Sequence, residues 1–378
     1  MKVLLLSVTA GQGHNSCANA IKAALQERNI ESTVLDTIKF IDKISGSIVD
    51  KGYTKLTTAG KVSPKVWGAM YNQALKSSIN KGPIDEIIPN LINFRAKKLE
   101  EFINDYRPDA IISTHIFASM LVSGMRKQNI INIPLIGINT DFALHPFWEE
   151  IDGDYLVTAC DRMDYAVLKR GIPKNKILPL GIPVNSKFSK IIEKSEARKL
   201  LNIKDKPTIS LFSGSMGFGN ILEEVKSIDK LELDFQLIVI CGNNTSVLED
   251  IQKAKKEGKY QKDIIPLGFV DNVNEIMSAS DVVCTKPGGL SVSECMSIGR
   301  PLVLLEPIPG IEEFNASFLV NCGAAVKTDK FYTIAEAIYN LMSSPKRIQS
   351  MLGVQSEMSP KNSAREVASI TMDLINKK

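Results

Sequence analysis

The sequence is poor in the residues from which metal sites and disulfide frameworks are built. It has 3 histidines and 6 cysteines in 378 residues, and no two cysteines form a Cys-x-x-Cys pair. A structural metal is therefore not expected, and the cysteines are predicted to be reduced and mostly buried. No apolar run approaches the roughly 18 to 20 residues of a membrane-spanning helix.

Strong net charge is also missing. A net charge of +4 is too small to indicate nucleic acid as a partner. The opening apolar run Val3–Leu6 is too short for the core of a signal peptide, so we expect a cytosolic chain. Its length and its ordinary composition predict about two globular domains with sizeable cores.

Apolar runs alternate with segments of helical spacing along the whole chain, which is typical of parallel sheets covered by helices on both faces. This predicts an α/β fold of two Rossmann-like, doubly wound domains that face a cleft. A Gly- and Pro-containing connection at Leu180–Asn185 separates domain 1–182 from domain 183–360, and residues 361–378 are predicted to form a closing helix that packs back. The predicted strands are Lys2–Val8, Ser32–Leu35, Ala110–Ser113, Pro134–Ile138, Tyr155–Val157, Thr208–Phe212, Gln236–Ile240, Ile264–Pro266, Asp281–Cys284 and Pro301–Leu305.

The most informative stretch is Thr285–Glu294, where a predicted strand leads through two glycines into a predicted helix. A helix that starts in this way presents unpaired N–H groups and a positive dipole end, which suit a diphosphate without a metal. Glu294, about one turn further on, is placed to accept the hydroxyls of a ribose. The alternative is a tight strand-to-helix connection capped by Ser291, with no ligand.

Each predicted domain begins with a Gly-rich loop. The loop Ser213–Gly219 is typical of a backbone cradle for anionic oxygens, although such loops also occur without ligands. The loop at Gly11–His14 has Ser16 where a dinucleotide fingerprint has its third glycine, which disfavours NAD or FAD. It carries His14, which the helix dipole should keep neutral and available as a base, unless it only packs or caps the helix.

The segment from Lys39 to Lys81 is basic and amphipathic. Eight lysines face only Asp42 and Asp50 and alternate with apolar residues that include Trp67. Such a segment is suited to rest on an anionic membrane without crossing it. An ordinary helical insertion with a solvated face is the alternative.

Taken together, these motifs resemble the inverting glycosyltransferases of family 28 with the GT-B fold, in the branch of monogalactosyldiacylglycerol synthases and processive diacylglycerol glucosyltransferases. The resemblance extends over nearly the whole chain and rests on six segments in the family's order: Gly11–His14, Asn139–Trp148, Gly181–Val184, Ser213–Gly219, Thr285–Leu290 and Pro307–Ala316.

The resemblance implies a hexosyltransferase that uses a UDP-sugar, a diacylglycerol or glycolipid acceptor, no cofactor and no metal, and that works peripherally on the inner face of the cell membrane. His14 would be the catalytic base, and Gly13, Asp141, His145 and Trp67 would lie on the acceptor side. The second domain would bind the donor, with Phe269 and Val270 against uracil, Glu294 at the ribose, and Glu312 and Asn315 facing the hexose or the cleft. The diphosphate would be lined by Gly214, Ser215, Gly289, Leu290 and Ser291, and Gly217 and Gly288 would also belong to the UDP-sugar site.

One departure from the family's pattern leaves the hexose open. Ile311 stands where the family usually has a glutamine at the sugar site. Three other functions remain as alternatives: a UDP-sugar epimerase on the same fold, a lipid-linked N-acetylglucosaminyltransferase of cell-wall synthesis, and a catalytically silent nucleotide-sugar sensor.

Overall fold

A computed structural model describes residues 1–9, 12–45, 97–213 and 221–377, with the backbone alone for residues 42–45. The described chain forms two compact units. The first consists of Met1–Asn185, Ile308–Ile311 and Asn362–Lys378, and the second of Ser186–Pro307 and Glu312–Lys361.

The first unit is built on a parallel sheet with the strand order β2-β1-β3-β4-β5-β6 in its described residues. Val3, Leu4, Leu5 and Leu6 of β1 are fully buried, because this strand lies inside the sheet with helices over both faces. The order changes direction between β1 and β3, so the crevice at their carboxyl ends is the expected ligand position. The strands are β1 (Lys2–Ser7), β2 (Glu31–Asp36), β3 (Ala110–Ser113), β4 (Leu135–Ile138), β5 (Tyr155–Val157) and β6 (Ile177–Leu178).

Helix α1 covers this sheet with a face of small and aliphatic residues, of which Cys17, Ile21 and Leu25 are fully buried. The last helix of the chain packs on α1, where Arg365 forms an ion pair with Glu27. The hydroxyl of Ser363 donates to the Gly181 carbonyl at 2.6 Å. The helices are α1 (Gly13–Gln26), α2 (Thr37–Ser45), α3 (residues 97–106), α4 (Ile116–Lys127), α5 (Asp164–Lys169) and, from the end of the chain, α14 (Ser363–Asn376).

The second unit contains a parallel sheet with the order β12-β11-β10-β7-β8-β9. This is the order of a dinucleotide-binding fold, in which the strand sequence reverses between β7 and β10. Loops that follow these two strands therefore flank the expected ligand crevice. The strands are β7 (Thr208–Phe212), β8 (Gln236–Ile240), β9 (Asp263–Leu267), β10 (Val282–Thr285), β11 (Leu302–Leu304) and β12 (Val326–Lys327).

Helices on both faces of this sheet enclose a core around the fully buried Phe235, Leu237 and Val239. Glycine at the end of one helix shows why the chain turns there: Gly299 has φ of 75°, a left-handed conformation that terminates α10. The helices are α6 (Lys194–Leu200), α7 (Ile221–Asp229), α8 (Thr245–Lys256), α9 (Val273–Ala279), α10 (Gly289–Ile298), α11 (Ile311–Cys322), α12 (Ile334–Met342) and α13 (Pro345–Met358).

The ten strands predicted from sequence are confirmed, with ends that differ by at most two residues. The two that were missed, β6 and β12, lie at sheet edges and have only two residues each. The expectation for the cysteines is confirmed in that all six are free and five are buried, Cys322 being partly exposed. In the described residues, no helix has the length and apolar character needed to span a bilayer.

Candidate active site

His14 lies at the switch point of the first sheet, in the first turn of α1. Its Nδ1 atom is 2.7 Å from the carbonyl oxygen of Thr114, the residue that follows β3. Thr114 is fully buried and holds this corner together, because its N–H donates to Leu6 at 2.9 Å and its hydroxyl donates to the His14 carbonyl at 3.1 Å. The imidazole is thus fixed between the ends of β1 and β3.

The partner at Nδ1 determines the tautomer of His14. A carbonyl oxygen can only accept, so Nδ1 donates its proton and Nε2 carries the lone pair of a base. Burial lowers the pKa of His14, and this effect outweighs the opposing influence of the Asp141 charge and of the Thr114 carbonyl. The sequence predicted that His14 is neutral because of the helix dipole. The lowered pKa agrees with a neutral ring, and its main cause is burial.

The other two histidines lie at the same sheet edge but have a different task. His115 Nδ1 accepts the Phe117 N–H at 3.1 Å, and His145 Nδ1 accepts the Phe147 N–H at 3.2 Å, so each caps the helical turn that follows it. Their protons must therefore be on Nε2. His115 contacts His14 edge to face, with ring centroids 4.6 Å apart.

Both capping histidines are held neutral. Burial lowers the pKa of His145 to about 4, assisted by the Arg170 charge. The pKa of His115 is lowered well below its usual value by burial, and further by the charges that His14 and His145 can carry. Of the chain's three histidines, His14 is the one whose hydrogen bonds leave Nε2 as a base.

The acceptor-side residues predicted from sequence lie around His14 in part. Gly13 is the first residue of α1, and Asp141 is close enough for its charge to raise the pKa of His14. The loop from Asn139 is fixed by the Asn139 amide, which donates to the carbonyls of Asp141 at 2.8 Å and Ala143 at 3.1 Å. Trp67 lies outside the described residues.

A polar network that the sequence did not predict supports the β1–α1 loop. Ser7 donates to Asn15 at 2.6 Å, and Asn15 donates to Thr9 at 2.8 Å. Thr9 in turn donates to Asp36 and accepts from Lys39. No sequence motif marks this set, because its members come from two different strand-to-helix connections.

The predicted diphosphate loop lies at the switch point of the second sheet. Helix α10 begins at Gly289, with Gly288 as its N-cap and no side chain capping it. The alternative of a connection capped by Ser291 is wrong in its cap, because Ser291 is already the third helical residue. Space is open around Gly288, where an added Cβ would meet nothing within 4 Å. The first N–H groups of Gly289, Leu290 and Ser291 thus have no partner within the helix, and a helix start of this kind can bind an anion.

Asn315 supports this loop from α11. It is fully buried, and its amide donates to the Pro287 carbonyl at 3.0 Å. Its predicted contact with the hexose stays a prediction. Glu312, on the same helix, acts through its charge on Lys286 of this loop. Burial lowers the pKa of Lys286, and the negative charge of Glu312 partly offsets that decrease. Gly214, Ser215 and Gly217 of the other predicted phosphate loop lie outside the described residues.

Lys187, which the sequence did not predict, interacts with residues at both the predicted ribose position and the predicted uracil position. Its ammonium donates to the Asp271 carbonyl, next to Phe269 and Val270. Its charge also acts on Glu294, whose pKa burial raises to about 8 and Lys187 holds down. Phe269 is 73% exposed at the end of β9, as an aromatic platform for a base requires.

Among the described residues, no group of three His, Cys, Asp or Glu side chains is placed to hold a metal ion. Glu224, in the first turn of α7, is held towards its neutral form, because burial, and secondarily the Glu306 charge, raises its pKa.

Comparison with known proteins identifies the family to which this chain is similar. Residues 14–184 match the family model of monogalactosyldiacylglycerol (MGDG) synthase, and residues 208–370 match that of the glycosyltransferase family 28 C-terminal domain. A processive diacylglycerol beta-glucosyltransferase of Bacillus mycoides is 28% identical over 328 residues, covering 86% of this chain and 81% of the relative. Its counterpart in Bacillus pumilus is 25% identical over 370 residues, covering 97% and 93%.

Solved structures share the fold along the whole chain. MurG of Acinetobacter baumannii superimposes with a TM-score of 0.64 at 17% identity, covering 100% of this chain and 99% of that one. The glycotransferase of kitacinnamycin superimposes with a TM-score of 0.65 at 13% identity, covering 98% of each chain. HepE of Anabaena, solved with UDP and glucose, gives 0.53 at 15% identity, covering 100% and 97%.

Two parallel α/β units with these structural neighbours show the GT-B fold, and the two matched family models make the chain a glycosyltransferase of that fold. Both halves of the sequence point to the same group within that class. The chain belongs to glycosyltransferase family 28 and is of the monogalactosyldiacylglycerol synthase type.

Proposed function

We propose that the chain transfers a hexose from a UDP-sugar to a diacylglycerol-type lipid at a membrane surface, with inversion at the anomeric carbon. The observation that carries this proposal is a neutral His14 with its lone pair on Nε2, in a chain whose relatives are named as diacylglycerol glucosyltransferases. The acceptor is a hydroxyl group, which needs a base of this kind to become a nucleophile.

The second unit would hold the donor. The N–H groups at the start of α10 would bind the diphosphate, Glu294 the ribose, and Phe269 with Val270 the uracil. As the bond to the sugar breaks, negative charge grows on the leaving diphosphate. A fixed set of N–H donors and the Lys286 ammonium would stabilise that charge more in the transition state than in the ground state, without a metal.

His14 would complete the reaction on the acceptor side. Nε2 takes the proton of the lipid hydroxyl while its oxygen attacks the anomeric carbon from the face opposite the diphosphate. The carbon–oxygen bond to UDP breaks, and UDP leaves with the electron pair. The products are a glycolipid with inverted configuration, UDP and a protonated His14.

Sugar transfer would take place at the inner face of the cell membrane, since the nucleotide-sugar is a cytoplasmic substrate and the lipid lies in the bilayer. The proposed attachment is peripheral and uses the basic segment from Lys39 to Lys81, most of which lies outside the described residues. Its lysines would contact anionic headgroups, and Trp67 would sit at the water–lipid boundary.

The test is turnover of UDP-glucose and UDP-galactose on liposomes with and without diacylglycerol, with the lipid products resolved. The proposal requires UDP release and a new glycolipid that both depend on diacylglycerol. Interconversion of the two sugars without lipid would instead indicate an epimerase. Transfer of N-acetylglucosamine to a lipid-linked cell-wall precursor, or binding without turnover, would indicate the other two alternatives.

Membrane attachment gives a separate prediction. Changing Lys51, Lys55, Lys61 and Lys65 to glutamine should reduce co-sedimentation with anionic liposomes, because each lysine near such a surface contributes on the order of 1 kcal/mol. High salt should weaken binding of the parent chain without abolishing it, since Trp67 adds apolar anchoring, and Trp67→Ser should lower the salt-resistant part.

A matched control removes the same charge elsewhere, at the exposed Lys253, Lys255, Lys256 and Lys346. This variant should sediment like the parent chain. Equal loss in both lysine variants would mean that total charge, and not the segment, governs binding. Indifference of the parent chain to lipid charge would remove the docking role.

A further inference from the structure

The Nδ1 atom of His14 lies between two oxygens. One is the Thr114 carbonyl at 2.7 Å, and the other is the hydroxyl oxygen of Thr140 at 3.1 Å. Thr140 is 8% exposed and directly precedes Asp141 in the loop after β4. The two oxygens therefore come from different loops, that of Thr140 from the loop after β4 and that of Thr114 from the loop after β3.

Proton accounting sets the direction of this second contact. Because Nδ1 gives its proton towards the Thr114 carbonyl, the Thr140 oxygen faces an N–H and acts there as a second acceptor. The opposite tautomer would place the Nδ1 lone pair against the carbonyl lone pair at 2.7 Å, which is repulsive. Two oxygens at Nδ1 also favour the imidazolium over the neutral ring, because a charged donor strengthens both bonds.

We infer that Thr140 is a positioning residue for His14: its hydroxyl holds the ring that the Thr114 carbonyl keeps in the Nδ1–H tautomer, and it stabilises the imidazolium that forms during sugar transfer. The catalytic part of this inference rests on the proposed function. The tautomer part does not, because it concerns the free protein alone.

The surrounding groups make His14 distinguishable from its neighbours. Asp141 and His115 face its ring from the loops after β4 and β3. On α1 itself, Asn15 is hydrogen-bonded to Thr9, which is hydrogen-bonded to the Asp36–Lys39 ion pair. Cys17, also on α1, stays neutral because burial raises the pKa of its thiol. His115 and His145 have the reverse tautomer because their Nδ1 atoms accept backbone N–H groups.

The chain has only three histidines, so nitrogen NMR with long-range ¹H–¹⁵N correlation can assign each tautomer in the intact protein. We expect one ring protonated on Nδ1, lost in His14→Gln, and two protonated on Nε2. In Thr140→Val the Thr114 carbonyl should keep the His14 ring protonated on Nδ1, but the pKa of His14 should fall, because the imidazolium loses one of its two acceptors. In Thr140→Ser, which restores the oxygen, the pKa should return.

Kinetics give the second readout. Thr140→Val should lower kcat about 10-fold, which is the weight of one hydrogen bond to a charged group, and leave the KM for the UDP-sugar unchanged. The acid limb of its pH profile should move to lower pH. Thr158→Val is the matched control, because Thr158 is fully buried at the end of β5 and its hydroxyl has no hydrogen-bond partner among the described residues.

Three results would overturn the inference. They are a His14 ring protonated on Nε2 in the parent chain, an unchanged pKa of His14 in a folded Thr140→Val protein, and an effect of the same size in Thr158→Val, which would assign the change to general packing. Should sugar transfer itself be absent, the NMR result still decides the tautomer, so the two proposals fail separately.

Discussion

Replacing His14 with alanine is expected to lower the turnover of sugar transfer by about 10² to 10⁴, the usual contribution of a general base. The affinity for UDP should barely change, because the predicted UDP-binding residues belong to the other unit. Turnover on diacylglycerol liposomes and UDP titration calorimetry measure the two quantities in one preparation. With a pKa below 6.5, His14 is already a base at neutral pH, so activity should fall only on acidification through that lowered pKa.

A capping histidine outside the predicted site residues supplies the control for this experiment. His115→Asn keeps an N-cap acceptor in place of Nδ1, so it should retain most of the turnover. A loss as large as that of His14→Ala in this variant would move the base to His115. Near-normal turnover of His14→Ala would remove His14 from the mechanism.

The sequence was sufficient for the parallel sheets because their inner strands are buried on both faces. Val3–Leu6 and Thr208–Phe212 are continuous buried runs, and such runs are visible without any contact information. The edge strands β6 and β12 have two residues each, too short to produce a pattern. Pairing with a neighbouring strand, which only the fold provides, defines them.

The candidate site could be predicted where one loop forms it and not where distant segments meet. The glycines before α10 predict a strand-to-helix turn by themselves, and the helix starts there; anion binding at this turn stays a prediction. The bonds that orient His14 come from Thr114 and Thr140, which are 100 and 126 residues away in the chain. Lys187 acts on Glu294 from a similar distance, so no local pattern indicates either arrangement.

Burial adds to two predictions what local reasoning could not supply. For His14 the sequence predicted the direction of the pKa shift from the helix dipole, and removal of the ring from water is the main cause in the packed fold. For Asn315 the predicted contact with the hexose stays a prediction, and the fold adds a buried hydrogen bond to the Pro287 carbonyl in the loop before α10. Exposure depends on the packed fold, which a motif does not specify.

Changing Glu294 to glutamine is expected to have opposite effects on binding and on stability. The carboxylate is predicted to accept hydroxyl groups of the ribose, and loss of such a charge-assisted contact should weaken UDP binding by about 1.5 to 3 kcal/mol. Binding of UDP favours the ionised carboxylate, so below pH 8 the parent chain should release a proton when UDP binds. Glu294→Gln should release none from this position.

Without nucleotide, the same variant should be the more stable one. The pKa of Glu294 is about 8 in the folded chain and about 4.5 when unfolded, so the folded state holds a proton that the unfolded state gives up between these values. The stability of the parent chain therefore falls as pH rises from about 5 to 8. The Glu294→Gln variant has no ionisable group at this position, so its stability should not fall for this reason. We expect a gain of about 1 to 3 kcal/mol at pH 8 and almost none at pH 4.5.

Thermal unfolding at pH 4.5, 6 and 8, and UDP calorimetry in buffers of different ionisation enthalpy, measure both effects. Glu249→Gln is the control, because Glu249 is exposed on α8 and should change neither quantity. Unchanged UDP affinity in a folded Glu294→Gln protein would remove Glu294 from the nucleotide site. A stability gain that does not grow with pH would mean that the buried carboxyl is already ionised in the free chain, held so by Lys187 more strongly than burial opposes it.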